Sequence, residues 1–198
     1  MNRHIRISEI LSWLFPYKDI DQEVLEAKAR IGTNVHKAIV DDCNGDFYVF
    51  ETDRAKAYFE SYKILYPQTP KIQQIPRLYC DKLMITGECD GLLDGFFGQR
   101  IIDWKCSASP HKEQWNMQAH FYWYLLKENG YKVIDYMSWI NLRHHKRIKY
   151  AKNGENQLIY DPLEPIVCEF KFDQNVLDKC IEAAIRYHEE KSNAKVLA

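Results

Sequence analysis

Between Met84 and Ser107 the chain reads MITGECDGLLDGFFGQRIIDWKCS, two β-like runs around a Gly-rich turn, Asp94-Gly95-Phe96-Phe97-Gly98-Gln99. Each run carries a carboxylate where a core strand favours an apolar residue: Asp90 in the first, Asp103 in the second. Lys105 follows two residues after Asp103. Side chains two apart share a strand face, so Asp103 and Lys105 point one way and Trp104 the other. A hairpin-like return would bring Asp90 beside them. Two acids and an ammonium on one patch are costly to bury unless a cation joins them. Carboxylate oxygens suit a hard ion such as Mg²⁺, which keeps open positions for water and phosphate. Such an ion activates water and polarises a phosphodiester, while a lysine orients the water or offsets phosphate charge.

The flanking elements must position this patch. A helix is expected from Ser8 through Phe15, ended by Pro16, and a second from an Asp21 cap to about Asp42 before Asn44-Gly45. Gly32 and His36 lie four apart on one face of the second helix, and a mid-helix glycine there predicts close packing against another backbone. A third helix is expected from Thr52 or Asp53 to Tyr66, closed by Pro67 and Pro70. Strands are expected over Ile72–Tyr79, Leu83–Leu93 and Arg100–Lys105, then a helix over Lys112–Glu128 stopped by Gly130. Lys132–Leu142 reads as a strand, Arg147–Tyr150 and Gln157–Tyr160 as a hairpin around Lys152-Asn153-Gly154-Glu155, and Ile166–Phe172 as a last strand. Asp173 caps a final helix to about Lys191. With no repeat or linker, the 198 residues read as one α/β domain around a central mixed β-sheet flanked by helices.

Four short motifs fall in order on these elements: Gly32-Thr33-Asn34-Val35-His36, Gly87-Glu88-Cys89-Asp90, Asp103-Trp104-Lys105 and Gln118-Ala119-His120-Phe121-Tyr122. The set resembles the PD-(D/E)XK nuclease superfamily, in the branch of the RecB nuclease domain and lambda-type exonucleases. It covers roughly residues 31 to 124, and the motif-bearing core spans about 21–130. The resemblance implies a restriction-endonuclease-like core and a Mg²⁺- or Mn²⁺-dependent exonuclease acting on DNA ends in recombination, repair or phage DNA processing, inside a bacterial or phage-infected cell. It implies metal ligation by Asp90, Asp103, His36 and the Trp104 backbone carbonyl, catalysis by Lys105, and support of the site by Gln118 and Tyr122. Relatives carry a further glutamate just upstream. Here Gln73-Gln74-Ile75-Pro76-Arg77-Leu78 holds no acid, and Glu88 is the nearest replacement, with Glu51 and Glu60 behind it. The vacancy keeps a non-cutting binding module open beside a structure- or sequence-specific endonuclease. A homo-oligomer or a replication or recombination partner also stays open.

Composition bounds the rest. A formal net charge of −1 means that nucleic acid must be met by a local patch. The most basic stretch is Arg143-His144-His145-Lys146-Arg147-Ile148-Lys149, in which Arg143, Lys146, Arg147 and Lys149 are candidate DNA contacts. Arg3-His4-Arg6, with Trp13 and Phe15 to stack on unpaired bases, is a second candidate. No run is apolar enough to cross a bilayer and no signal-peptide core follows Met1, so no membrane partner and an intracellular protein are expected. Six cysteines without a CxxC pair read as free thiols, and Cys168 and Cys180 are too far apart for the tight C-terminal group of an iron–sulfur relative, so no iron–sulfur cluster is expected.

Overall fold

The computed structural model describes residues 3–16, 20–150 and 156–196. In chain order the elements are β1 (Ile5–Arg6), α1 (Ile7–Leu14), α2 (Gln22–Asn44), α3 (Asp53–Leu65), β2 (Ile72–Gln73), β3 (Leu78–Cys80), β4 (Ile85–Gly87), β5 (Gly91–Gly95), β6 (Gly98–Lys105), α4 (Lys112–Glu128), β7 (Val133–Lys149), β8 (Gln157–Lys171) and α5 (Gln174–Val196). A five-stranded sheet has the order β2-β5-β6-β7-β8. Only its β6–β7 pair is parallel, so the sheet is mixed. A small second sheet has the order β1-β4-β3.

Local chemistry sets most boundaries. Asp21 caps α2 by accepting from the Glu23 N–H at 2.8 Å, and Thr52 caps α3 by accepting from Ala55 N–H at 3.1 Å. Gly45 ends α2 in the left-handed region at φ 76°, where a side chain would strain the turn. Asp173 accepts from Asn175 N–H at 2.8 Å and opens α5. The expected Ser8 cap is replaced: α1 starts at Ile7, and the Glu9 carboxylate reaches back to the Arg6 N–H at 3.4 Å.

The expected strands differ in three respects. The run Ile72–Tyr79 divides into β2 and β3 in different sheets, and Leu83–Leu93 divides into β4 and β5, so the chain changes sheets across Glu88-Cys89-Asp90. Close approach explains both glycines of that crossing. A Cβ on Gly87 would stand 2.7 Å from Ile7 Cδ1 and 2.9 Å from Tyr122 Cε1, and one on Gly91 would strike Ile72 and come within 3.1 Å of the Gln73 carbonyl oxygen. Gly32 has no such role, because a Cβ there meets nothing within 4 Å. The third difference is length. The separate strands expected either side of the basic stretch are continuous, β7 over 17 residues and β8 over 15. The turn expected at Lys152–Glu155 lies outside the described residues.

Two cores lie on opposite faces of the large sheet. One joins α1, α4 and α5 to Leu92, Ile101, Met137 and Trp139; the other joins α2 and α3 to Ile102, Trp104, Ile140 and Leu142. Strand alternation therefore sorts β6 cleanly. Trp104 sits edge-on to Tyr62 and Tyr66, with ring centroids 5.2 and 5.7 Å away, which leaves Asp103 and Lys105 on the α4 face. Among the described residues no helix is long and apolar enough to cross a membrane.

Beyond Asn141, opposite Lys105, β7 has no partner except β8, and the two continue as a two-stranded ribbon from Arg143↔Leu163 to Lys149↔Gln157. The ladder slips by one between Asn141 and Arg143. Ser61 of α3, wholly buried, fills that bulge: its hydroxyl donates to the Leu163 carbonyl at 2.6 Å and accepts from Arg143 N–H at 3.0 Å.

Candidate active site

Asp90, in the turn before β5, is held from two sides. Its Oδ2 accepts from the Trp104 backbone N–H at 2.6 Å, and its Oδ1 lies 3.2 Å from His36 Nδ1 on α2. Burial alone would raise the Asp90 pKa, but the His36 charge, and then Lys105, hold it below the ordinary value. His36 mirrors it: burial would lower its pKa, and Asp90 raises it instead.

Asp103 is 3% exposed. Lys105 Nζ stands 2.5 Å from its Oδ2, so the two form a close ion pair with the carboxylate buried. Burial and the nearby Asp90 charge, against the pull of Lys105, push the Asp103 pKa up to about 7. With the Asp90 charge beside it, Asp103 takes up a proton as pH falls through about 7.

On α4, Gln118 and Tyr122 share a face. Trp139 Nε1 donates to Gln118 Oε1 at 3.2 Å, and Gln118 Nε2 donates to the Tyr122 hydroxyl at 3.1 Å. The relay leaves the Tyr122 proton free for another acceptor. Burial first, then the Asp103 charge, push the Tyr122 pKa well up, so the phenol stays neutral. The Tyr122 and Trp139 rings stack at 6.2 Å.

A cleft of about 530 Å³ is lined by His36, Asp90, Trp104 and Tyr122 and rimmed by Arg6, Lys37, Arg77 and Glu88; Asp103, Lys105 and Gln118 do not line it. Glu88 lines the same cleft as Asp90, and its half-exposed carboxylate pairs with Arg77, Oε2 to Nη2 3.0 Å. Glu60 pairs with Lys56 on α3, and Glu51 lines a separate hollow with Asn34.

Among the described residues no three His, Cys, Asp or Glu side chains form a ready metal cluster. The donors nonetheless fit a hard dication that retains water and needs only one or two carboxylates. Asp103 offers a buried carboxylate already set against Lys105, and the Asp90 oxygens each keep a spare lone pair.

Two contributors were missed by sequence reasoning. Trp139 orients Gln118, and Asn141, fully buried opposite Lys105, accepts from Ser107 N–H at 3.1 Å and leaves its Nδ2 without a partner. A lone amide in the apolar run Trp139-Ile140-Asn141-Leu142 was the available signal.

The basic stretch divides by strand parity. Arg143, His145, Arg147 and Lys149 share the face of Trp139 and Asn141; His144 and Lys146 lie on the other. His144 packs on Tyr58 of α3, and Arg54 Nε donates to its Nε2 at 3.1 Å. At the amino end, Arg3 pairs with Glu9 and His4 with Asp81. Trp13 is not free to stack on bases, since it packs edge-on to Tyr187 at 5.7 Å and under Arg186.

No protein-family model matches the chain, and no curated protein matches it. Solved structures do. A phage-related exonuclease from Haemophilus somnus 129PT is 17% identical, with 98% of this chain and 97% of that chain covered and a TM-score of 0.42. LHK-Exo in complex with dAMP is 10% identical, with 98% and 95% covered and a TM-score of 0.43.

Proposed function

We propose that this chain is a metal-dependent deoxyribonuclease of the PD-(D/E)XK type, hydrolysing phosphodiester bonds as an exonuclease at DNA ends. One observation carries the reading: α2, the turn before β5, β6 and α4 bring His36, Asp90, Asp103, Lys105, Gln118 and Tyr122 together, with the buried Asp103 carboxylate paired to Lys105. Asp90, Asp103 and the Trp104 carbonyl would hold Mg²⁺ or Mn²⁺, with His36 beside them. When bound, such an ion offsets phosphate charge and lowers the pKa of water.

The chain's own groups supply the rest. Water attacks phosphorus in line, and the phosphorus–oxygen bond to the leaving nucleotide breaks. Lys105, fixed against Asp103, places its amino group where charge builds on the phosphoryl oxygens. His36 and the Trp104 N–H hold the Asp90 carboxylate in one orientation. Tyr122, aligned by Gln118, keeps a proton to donate to a phosphate oxygen. Arg6, Lys37 and Arg77 at the rim favour a polyanion.

Labelled linear DNA with Mg²⁺ tests this. Asp103→Ala and Lys105→Ala should each lower cleavage by about a hundredfold or more, the scale of losing a group that stabilises transition-state charge. Variants that degrade DNA as fast as the parent overturn the assignment. Covalently closed circular DNA should stay intact, and its cutting would make the enzyme an endonuclease instead.

A further inference from the structure

The β7–β8 ribbon has a use that the cleft does not explain. Its two faces differ. One carries Arg143, His145, Arg147 and Lys149 from β7, opposed by Leu163, Asp161, Ile159 and Gln157 of β8. The other carries His144, Lys146 and Ile148, opposed by Pro162, Tyr160 and Leu158. The second face is rooted on α3, through His144 against Tyr58 and Arg54. Among the described residues the first holds three fixed cations against one acid, Asp161, which forks to Arg147 Nε and Nη2. His145, Arg147 and Lys149 are exposed.

That cationic face is the catalytic face prolonged. Trp139 pairs with Asp103 and Asn141 with Lys105 across the parallel ladder, and every second residue of β7 beyond them is Arg143, His145, Arg147, Lys149. Eight residues separate Asn141 from Lys149. At about 3.3 Å per residue the arm reaches roughly 26 Å past the site. At 3.4 Å per base pair that is about eight pairs of duplex. A two-stranded ribbon is also narrow enough for a major groove. The cationic face holds no aromatic ring to stack on unpaired bases; Tyr160 lies on the other face.

We propose that the outer half of the β7–β8 hairpin is a duplex-binding arm, in which Arg143, Arg147 and Lys149 hold phosphates of double-stranded DNA while the strand end lies at Asp103 and Lys105. The proposal rests on the site being a DNA-cutting one. It makes the substrate duplex DNA, gripped without regard to sequence, and it removes Lys146 from the contact set.

The test is binding in an Asp103→Asn background, by fluorescence anisotropy across about 50 to 200 mM salt, on a blunt duplex of about 24 base pairs. Arg147→Gln with Lys149→Gln should make the slope of log affinity against log salt shallower by about two. Lys146→Gln should leave it unchanged, and Asp161→Asn should tighten binding by freeing Arg147. On a duplex of about six pairs, too short to reach the far cations, the double variant should bind like its background. Equal slope losses for Lys146→Gln and Arg147→Gln overturn the proposal, and so does the same cation dependence on a single strand of equal length. The two readings fail separately. Cation-dependent duplex binding by a parent that never cuts leaves the arm and removes the nuclease; normal cutting and binding by the Arg147 and Lys149 variants removes the arm alone.

Discussion

At the scale of the residue, Asp103 is the strained member of the site. Its pKa, pushed up to about 7, lies well above an unfolded aspartate near 4. The folded chain therefore binds a proton that the unfolded chain has released. The stabilisation linked to that proton is complete below the unfolded pKa and is lost as pH rises through about 7. In metal-free protein, Asp103→Asn should flatten the fall in melting temperature over that window and leave the variant more stable than the parent at pH 8, by about 1–2 kcal/mol. Mg²⁺ should then raise the melting temperature of the parent and not of the variant. Thermal denaturation against pH, with and without Mg²⁺, checks both. A variant less stable than the parent at pH 8 shows that the ion pair with Lys105 outweighs the cost of burying the Asp103 charge.

At the scale of the element, α4 is fastened as firmly as it is aimed. Its His120 is wholly buried, with Nδ1 2.8 Å from the Asn116 carbonyl and Nε2 accepting from Asp173 N–H at 2.9 Å, which ties α4 to the start of α5. This network assigns the proton to Nδ1 and keeps the ring neutral. Burial lowers the His120 pKa, so its contribution is complete above the ordinary value near 6.5 and is lost as pH falls below it. His120→Phe should lower stability at pH 8 by about 1–3 kcal/mol, from the orphaned Asp173 N–H. It should also lessen the acid-side loss between about pH 6.5 and 5. Chemical denaturation at the two pH values measures this; an unchanged acid-side loss shows that other groups carry it.

The same scale shows what could be read in advance. Asp103, Trp104 and Lys105 declared their faces because strand alternation is a local rule, and Gln118 with Tyr122 declared theirs by helical spacing. The change of sheet between β4 and β5 gave no such sign. It depends on Gly87 meeting Ile7 and Tyr122, contacts made across the fold. Gly32 was misread for the converse reason: its cost to the helix is local, and whatever offsets that cost is not a close neighbour. The ribbon hid as two hairpin stubs because its bulge is satisfied by Ser61, 82 residues before Arg143 in sequence.

At the scale of the molecule, the two cores share one sheet and should unfold together. Trp104 reports on the α2–α3 side and Trp139 on the α4–α5 side. Fluorescence of two variants, one keeping Trp104 alone and one keeping Trp139 alone among the five tryptophans, should each follow a single transition coincident with the loss of circular dichroism, as one cooperative domain requires. Two separated transitions by either probe would divide the chain into independent units.

The sharing of that sheet also governs when the site exists. His36 arrives from one layer, Asp90, Asp103 and Lys105 from the middle, and Gln118 and Tyr122 from the other layer. A nascent chain that stops short of α4, or a proteolytic fragment lacking α2, therefore holds only part of the set. A chain that cuts DNA as proposed would therefore do so only once all three layers have docked.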